Sequence, residues 1–278
     1  MDFKYFFLLI CFAFSCSKPA KKNITAALNE THVLNKTLSH KIDAAFLQHG
    51  INGCFILYDL QRDTSIIYNT SRTEKVFLPA STFKILNSLI ALECGAIRDV
   101  DEVIPWDSID RPIPAWNRDH TMRSAIKFSV VWFYQELARK IGEERMQKWV
   151  DTVGYGNHTI GKEIDNFWLV GDLRITPMEQ VAFLKKLILG ELPFKKTNIL
   201  AVKEILMEDQ NDQYVFRAKT GWADFGQEIG WYVGYIEIRG DTFIFVNNID
   251  INKNEDARAR KSIVKEILDD AFQIDLNI

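Results

Sequence analysis

The stretch 228–238 constrains the fold most, because large apolar residues fill both sets of its alternating positions. Side chains alternate between the two faces of a strand, so Trp231, Val233 and Tyr235 would point one way and Tyr232, Ile236 and Ile238 the other. A strand with no polar face needs cover on both sides. The sequence therefore predicts a sheet sandwiched between helices, not one with a wet face. Further strands are expected over 52–60, 64–68, 214–220 and 242–249. Gln61-Arg62-Asp63 turns the first pair and Arg239-Gly240-Asp241 turns the last.

Helices are expected before and between these strands. Residues 35–49 read as a short helix, and Pro79-Ala80-Ser81 opens another. Its apolar residues Ile85, Leu86, Leu89, Ile90 and Leu92 recur at helical spacing up to a Gly95 stop. Thr176-Pro177-Met178-Glu179 carries an N-cap threonine, a proline at the first helical position and a capping glutamate, with Gly190 at the far end. A last helix starts near Asp256 and is buried along Ile263, Val264, Ile267 and Leu268. The order helix, strands, helices, strands, helix implies a mixed α/β fold: an antiparallel sheet flanked by helices, with an inserted, mostly helical region at 96–208.

The N-terminus reads as an export signal. Residues 5–14 are apolar but too short to span a bilayer, and a polar stretch at 17–23 follows. Ala13-Phe14-Ser15-Cys16 resembles a bacterial lipoprotein cleavage box, in which Cys16 would become the lipidated first residue; the alternative is ordinary cleavage near Ser15 to Ser17. The expected division is a signal at 1–16 and one domain at 24–278, exported to the periplasm with a membrane tether through Cys16 if it is lipidated. Cys54 and Cys94 are expected to be buried free thiols. A formal net charge of −3 gives no basic field for nucleic acid. The histidines, His32, His40, His49, His120 and His158, show no zinc-site spacing, and Asp250-x-Asn252-x-Asn254 lacks the glycine and terminal glutamate of a calcium loop, so no metal is expected. Trp106, Trp116 and Trp132 read as core.

Chemistry enters with a serine and a lysine three residues apart on a helix, where the amine can take the hydroxyl proton. The spacing alone says little, since Ser15, Ser81, Ser124 and Ser262 all have a lysine three residues on. Context singles out Ser81. Phe77, Leu78, Phe83 and Ile85 would desolvate Lys84 and lower its pKa, and Ser81 would sit at the positive end of a helix where its own N–H can help hold an oxyanion. Lys219-Thr220-Gly221 occurs once and ends a strand. On an edge strand the lysine and hydroxyl could bind a carboxylate while the glycine admits substrate backbone. Ser129-Val130-Val131 precedes a helical run.

In that order, these three motifs resemble those of penicillin-recognising serine enzymes. The class D (oxacillinase) β-lactamases are marked by Ser-Thr-Phe-Lys, Ser-x-Val, Tyr-Gly-Asn and Phe-Trp-Leu. Here these are Ser81 to Lys84, Ser129 to Val131, Tyr155-Gly156-Asn157 and Phe167-Trp168-Leu169. The resemblance implies a β-lactam substrate, a Ser81 nucleophile and a Lys84 carboxylated by carbon dioxide or bicarbonate that serves as general base. It implies that Trp168 donates to the carbamate, Val131 keeps the pocket apolar and Ser129 relays a proton to the leaving nitrogen. Lys219, Thr220 and Arg260 would bind the substrate carboxylate, with Arg258 the competitor for that last place. Gly221 would let substrate approach, and the N–H groups of Ser81 and Trp222 would form the oxyanion hole. A β-lactam sensor and a peptidoglycan peptidase of related fold are the alternatives. Sensors carry a long membrane-spanning region before the domain, which this sequence lacks. Substrate range and homodimer formation are left open.

Overall fold

The computed structural model describes residues 24–278 except 225 and 227. The expected signal segment and Cys16 lie outside the described residues.

Helix α1 (Ile24–His49) begins earlier than its expected start at 35. It leads into strands β1 (Gly53–Asp59) and β2 (Thr64–Tyr68), whose turn is held by Asp59: its carboxylate accepts the N–H groups of Gln61 and Arg62 at 3.0 and 2.9 Å. After the short α2 (Thr70–Thr73) comes a 3-10 turn, Ala80–Phe83, which passes straight into α3 (Lys84–Glu93). The inserted region holds α4 (Met122–Lys127), α5 (Val131–Ile141), α6 (Glu143–Val153), α7 (Pro177–Leu189) and α8 (Lys196–Ile205). It is less helical than expected: residues 95–121 carry only the 3-10 turn Pro114–Trp116, and 154–176 form a long loop. Four strands and a helix close the chain: β3 (Met207–Gln210), β4 (Tyr214–Ala223), β5 (Ile229–Ile238), β6 (Asp241–Asp250) and α9 (Ala259–Phe272).

The six strands pair antiparallel in the order β2-β1-β6-β5-β4-β3. The two faces of β5 enter separate cores, as the sequence predicts. Trp231, Val233 and Tyr235 pack with α3 and α5, whereas Tyr232, Ile236 and Ile238 pack with Ile42 and Phe46 of α1 and Ile263, Val264 and Ile267 of α9. The β5–β6 hairpin turns through Arg239 and Gly240, both at positive φ (52° and 86°), the twist that suits a two-residue hairpin. Thr176 and Glu179 form the reciprocal cap of α7, with bonds of 3.1 and 2.7 Å. Cys54 is buried and its thiol is pushed up to about 12 by burial; Cys94 is only half-buried, short of expectation.

Two departures bear on the site. The unexpected β3 covers part of β4, pairing with it at Val215, Phe216 and Arg217. Only the stretch from 219 onward runs past β3, so Lys219-Thr220-Gly221 lies inside a ten-residue strand and not at its end.

The Tyr155-Gly156-Asn157 segment explains itself by contact. Gly156 has φ +56°, and a Cβ there would lie 2.0 Å from the Arg174 carbonyl oxygen. Asn157 accepts the Arg174 N–H at 2.9 Å and its own N–H donates to the Arg174 carbonyl at 2.9 Å. Next to Arg174, Ile175 and Phe77 exchange backbone bonds of 2.9 and 3.0 Å, which tie this loop to the approach to Ser81. Gly156→Ala is expected to destabilise the fold by about 2–4 kcal/mol, from left-handed strain plus a backbone clash, read as a lower urea midpoint. An unchanged midpoint would mean that the two loops are not locked together here.

Candidate active site

Ser81 lies in the 3-10 turn and Lys84 is the first residue of α3, one turn further on. Their side chains meet: Lys84 Nζ and Ser81 Oγ are 2.6 Å apart in a hydrogen bond. Exposure divides the pair. Ser81 keeps 8% of its surface in contact with solvent and Lys84 keeps 0%, so the amine is the drier of the two. Burial, with the neighbouring charge of Lys219 adding to it, holds the Lys84 amine well below its ordinary value of 10.5. Both causes disfavour the ammonium form.

The dryness has an identifiable source. Phe83 packs against Tyr155, Phe167 and Trp168 with ring centroids 5.6, 5.0 and 5.6 Å apart, the last pair stacked. Three of the four class D motifs thus meet at one phenylalanine. Tyr134 of α5 supplies another wall, with its ring centroid 5.5 Å from Lys84 Nζ and its hydroxyl 2.9 Å from Ser88 Oγ. The indole N–H of Trp168 is buried and has no partner among the described residues. An unmet buried donor is expensive to maintain, and this one is free to meet an acceptor brought into the site.

The nucleophile turn is fastened from several sides. Ala80, at φ +48°, donates its N–H to the Trp168 carbonyl at 2.9 Å, and Trp231 donates its indole N–H to the Leu78 carbonyl at 2.8 Å. Thr82 Oγ1 donates to the Pro79 carbonyl at 2.6 Å and accepts from Gln180 Nε2 at 2.8 Å. Tyr134, Gln180 and Trp231 carry no sequence signal for these roles. Their partners are the Lys84 amine, the Thr82 hydroxyl and the Leu78 carbonyl, brought close only by the fold.

Strand β4 crosses beside this turn. A Cβ on Gly221 would lie 3.2 Å from the Thr82 methyl, so glycine permits the close approach. Lys219 is 3% exposed, and burial pushes its amine down to about 7. Its Nζ donates to the Thr220 carbonyl at 3.0 Å, with Thr220 Oγ1 at 3.3 Å. Trp222 is exposed at the rim, its ring 5.5 Å from the Arg260 guanidinium. Arg260 Nη1 donates to the Gly221 carbonyl at 2.7 Å and Nε to Ala257 at 2.7 Å, while burial lowers its pKa to about 10. It reaches β4 by crossing Gly230, where a Cβ would lie 2.6 Å from the arginine's Cδ. Arg258, two residues earlier, is exposed and outside this set of contacts.

Ser129 and Val131 sit where the chain enters α5. Ser129 has φ +54°, and Val131 is the first helical residue, half-buried. Helix α5 is bonded to α3 through Asn87 Nδ2 and the Tyr134 carbonyl at 3.3 Å. Of the tryptophans expected in the core, Trp132 is buried, whereas Trp106 and Trp116 are half-exposed. At the expected polar turn near 250–256, Asp256 accepts the N–H groups of Asn252 and Lys253 at 3.0 and 3.2 Å.

Known proteins share both the sequence and the shape. The penicillin-binding protein transpeptidase domain family matches residues 37–269. The chain is similar to the probable β-lactamase YbxI of Bacillus subtilis (strain 168), 43% identical over 217 residues, covering 78% of this chain and 80% of that protein. It is 40% identical to β-lactamase OXA-48 of Klebsiella pneumoniae over 227 residues, 81% of this chain and 86% of that one. The structure superposes on the class D β-lactamase YbXI from Nostoc with a TM-score of 0.81 at 44% identity, covering 84% of this chain and 98% of that one. FUS-1 (OXA-85), a class D β-lactamase from Fusobacterium nucleatum subsp. polymorphum, gives 0.81 at 41% identity with the same two coverages, 84% and 98%. With relatives this similar over most of their length, and the four motif segments in their expected order, this chain belongs to the class D serine β-lactamases.

Proposed function

We propose that the protein hydrolyses β-lactam antibiotics through an acyl-enzyme on Ser81, with Lys84, carboxylated on its amine, as general base. The observation that carries this reading is the 2.6 Å contact between the Ser81 hydroxyl and an amine with no exposure. Only a neutral amine adds carbon dioxide, and burial shifts Lys84 toward its neutral form. The unmet indole N–H of Trp168 fits a group that brings buried acceptor oxygens. When bound, the carboxylate supplies a base closer in strength to the task than a half-starved amine and is worth two to four orders of magnitude in rate, roughly.

The chain's own residues supply the rest. Ser81 Oγ gives up its proton toward Lys84 and attacks the lactam carbonyl. The N–H groups of Ser81 and Trp222 would hold the developing oxyanion. Ser129 would pass a proton to the ring nitrogen as the amide bond breaks, and Val131 keeps that wall apolar. Lys219, Thr220 and Arg260 would bind the substrate carboxylate. Its charge favours the ammonium form of Lys219 and so opposes the fall to about 7 in the free site. Gly221 leaves room for the substrate against β4. Arg260 is preferred to Arg258 because it already bonds to Gly221 and flanks Trp222. Water then releases the opened product from Ser81. Export to the periplasm, with or without lipid on Cys16, would place this chemistry where the antibiotic arrives.

A chromogenic cephalosporin tests the reading. Many substrate molecules should be opened per protein molecule at a constant rate. A burst of one per molecule that then stalls would identify a sensor or a peptidase and overturn hydrolysis.

A further inference from the structure

Ser129 is a non-glycine residue held in the left-handed region at φ +54°, a conformation that persists only where its surroundings enforce it. Backbone bonds account for one side of the enforcement: Ser129 N–H donates to Ile126 at 3.3 Å and Val130 N–H to Ala125 at 2.9 Å. The other side comes from outside the helix. Trp116 donates its indole N–H to the carbonyl of Phe128 at 2.9 Å, which is the peptide that leads into Ser129.

Trp116 is itself held. Its carbonyl accepts the indole N–H of Trp132 at 2.8 Å, and its N–H donates to Ile113 at 2.9 Å. His120 fixes the preceding residue through Nε2 and the Ala115 carbonyl, 2.9 Å, and meets Ser124 through Nδ1 at 2.9 Å. The ring of Phe128 is flanked by the Arg118 guanidinium at 5.0 Å. The loop 111–121 thus grips the Phe128–Ser129 peptide and, through Trp132, the first turn of α5.

We propose that Trp116 is a positioning residue for Ser129: its indole N–H clamps the Phe128 carbonyl and holds the serine hydroxyl in register for proton transfer to the lactam nitrogen. The proposal rests on the role given to Ser129 above. It makes a prediction that a merely structural or substrate-facing tryptophan does not. Ser129 acts when the ring nitrogen leaves, so a loose clamp slows acylation and spares deacylation.

Trp116→Phe keeps the apolar bulk and removes the donor. In single-turnover experiments, acylation should slow roughly tenfold while deacylation stays within about twofold, since a catalytic group displaced by a fraction of an ångström loses rate steeply. Ser129→Ala should show the same selective defect. In that background Trp116→Phe should add less than about twofold, because the two residues act as one unit. Equal slowing of both steps, a change in KM alone, or an undiminished effect in the Ser129→Ala background would overturn the clamp. A selective defect in Ser129→Ala with none in Trp116→Phe would overturn the clamp alone. No selective defect in Ser129→Ala would remove the proton-relay role and the clamp with it. Should Trp116→Phe fail to fold, benzothienylalanine at 116 has the indole outline without its N–H and is read by the same criteria.

Discussion

Lys84→Ala is expected to leave a folded protein whose β-lactam turnover is lower by about three orders of magnitude or more, the upper part of the range for removing a general base. The size of the loss follows from position. Among the described residues, the titratable side chain hydrogen-bonded to Ser81 Oγ is Lys84, with its Nζ at 2.6 Å. Lys84→Met, close in volume, separates chemistry from packing. Burial lowers the Lys84 pKa in the fold below the 10.5 it has when exposed. Between those two values only the unfolded chain holds the proton, so stability rises with pH there. The penalty is fully present below the depressed value and absent above 10.5. In buffer freed of carbon dioxide, Lys84→Met should therefore be inactive and yet more stable than the native chain at neutral pH, with the gap closing in alkali. Retained turnover in either variant would remove Lys84 as the base.

Trp168→Ala is expected to cut turnover by about a hundredfold without added bicarbonate, and bicarbonate should restore part of it. The indole N–H is a buried donor beside the nucleophile turn with no partner among the described residues. Losing a charge-assisted bond to a carbamate is worth about 1.5–3 kcal/mol, or roughly one to two orders of magnitude in its formation constant. Loss of the stacked ring against Phe83 also admits water toward Lys84. Acid should have the same effect in both proteins, because protonating Lys84 restores its charge and releases the carbon dioxide. The variant should lose activity at a higher pH than the native chain. Turnover indifferent to bicarbonate in both proteins would argue against a carbamate, and the distinction is read in steady-state rates at several bicarbonate levels.

The parts of the molecule legible in the sequence are those where one chemical pattern dominates. Trp231 and Tyr232 are adjacent, large and apolar, and they part into two cores because a strand offers no third choice. Ser81 and Lys84 meet because three residues make one helical turn, and the apolar residues around them already announce a dry amine. Thr176 and Glu179 mark a helix start by a reciprocal bond that needs no tertiary partner. What the sequence does not reveal depends on distant partners. Met207, Glu208, Asp209 and Gln210 form a strand by backbone pairing to β4, and with no buried residue they show no strand pattern. Gln180 is separated from Thr82 by nearly a hundred residues, and its amide reads as surface until the fold closes over it. Arg258 and Arg260 could not be ranked from spacing, since the choice depends on which one passes over Gly230. Residues 95–121 were expected to be more helical than they are. Their order comes from side-chain bonds such as Trp106 Nε1 to Ile109 and Trp132 Nε1 to Trp116, at 3.1 and 2.8 Å, which periodicity cannot report.

The account turns on a single buried amine that is uncharged near neutrality and modified because of it. Carbon-13 NMR of the native protein equilibrated with labelled bicarbonate reads that amine directly. The account predicts one carbamate resonance that disappears on acidification and is missing from Lys84→Ala. A native spectrum with no such resonance, recorded under conditions where the enzyme turns over, would contradict it.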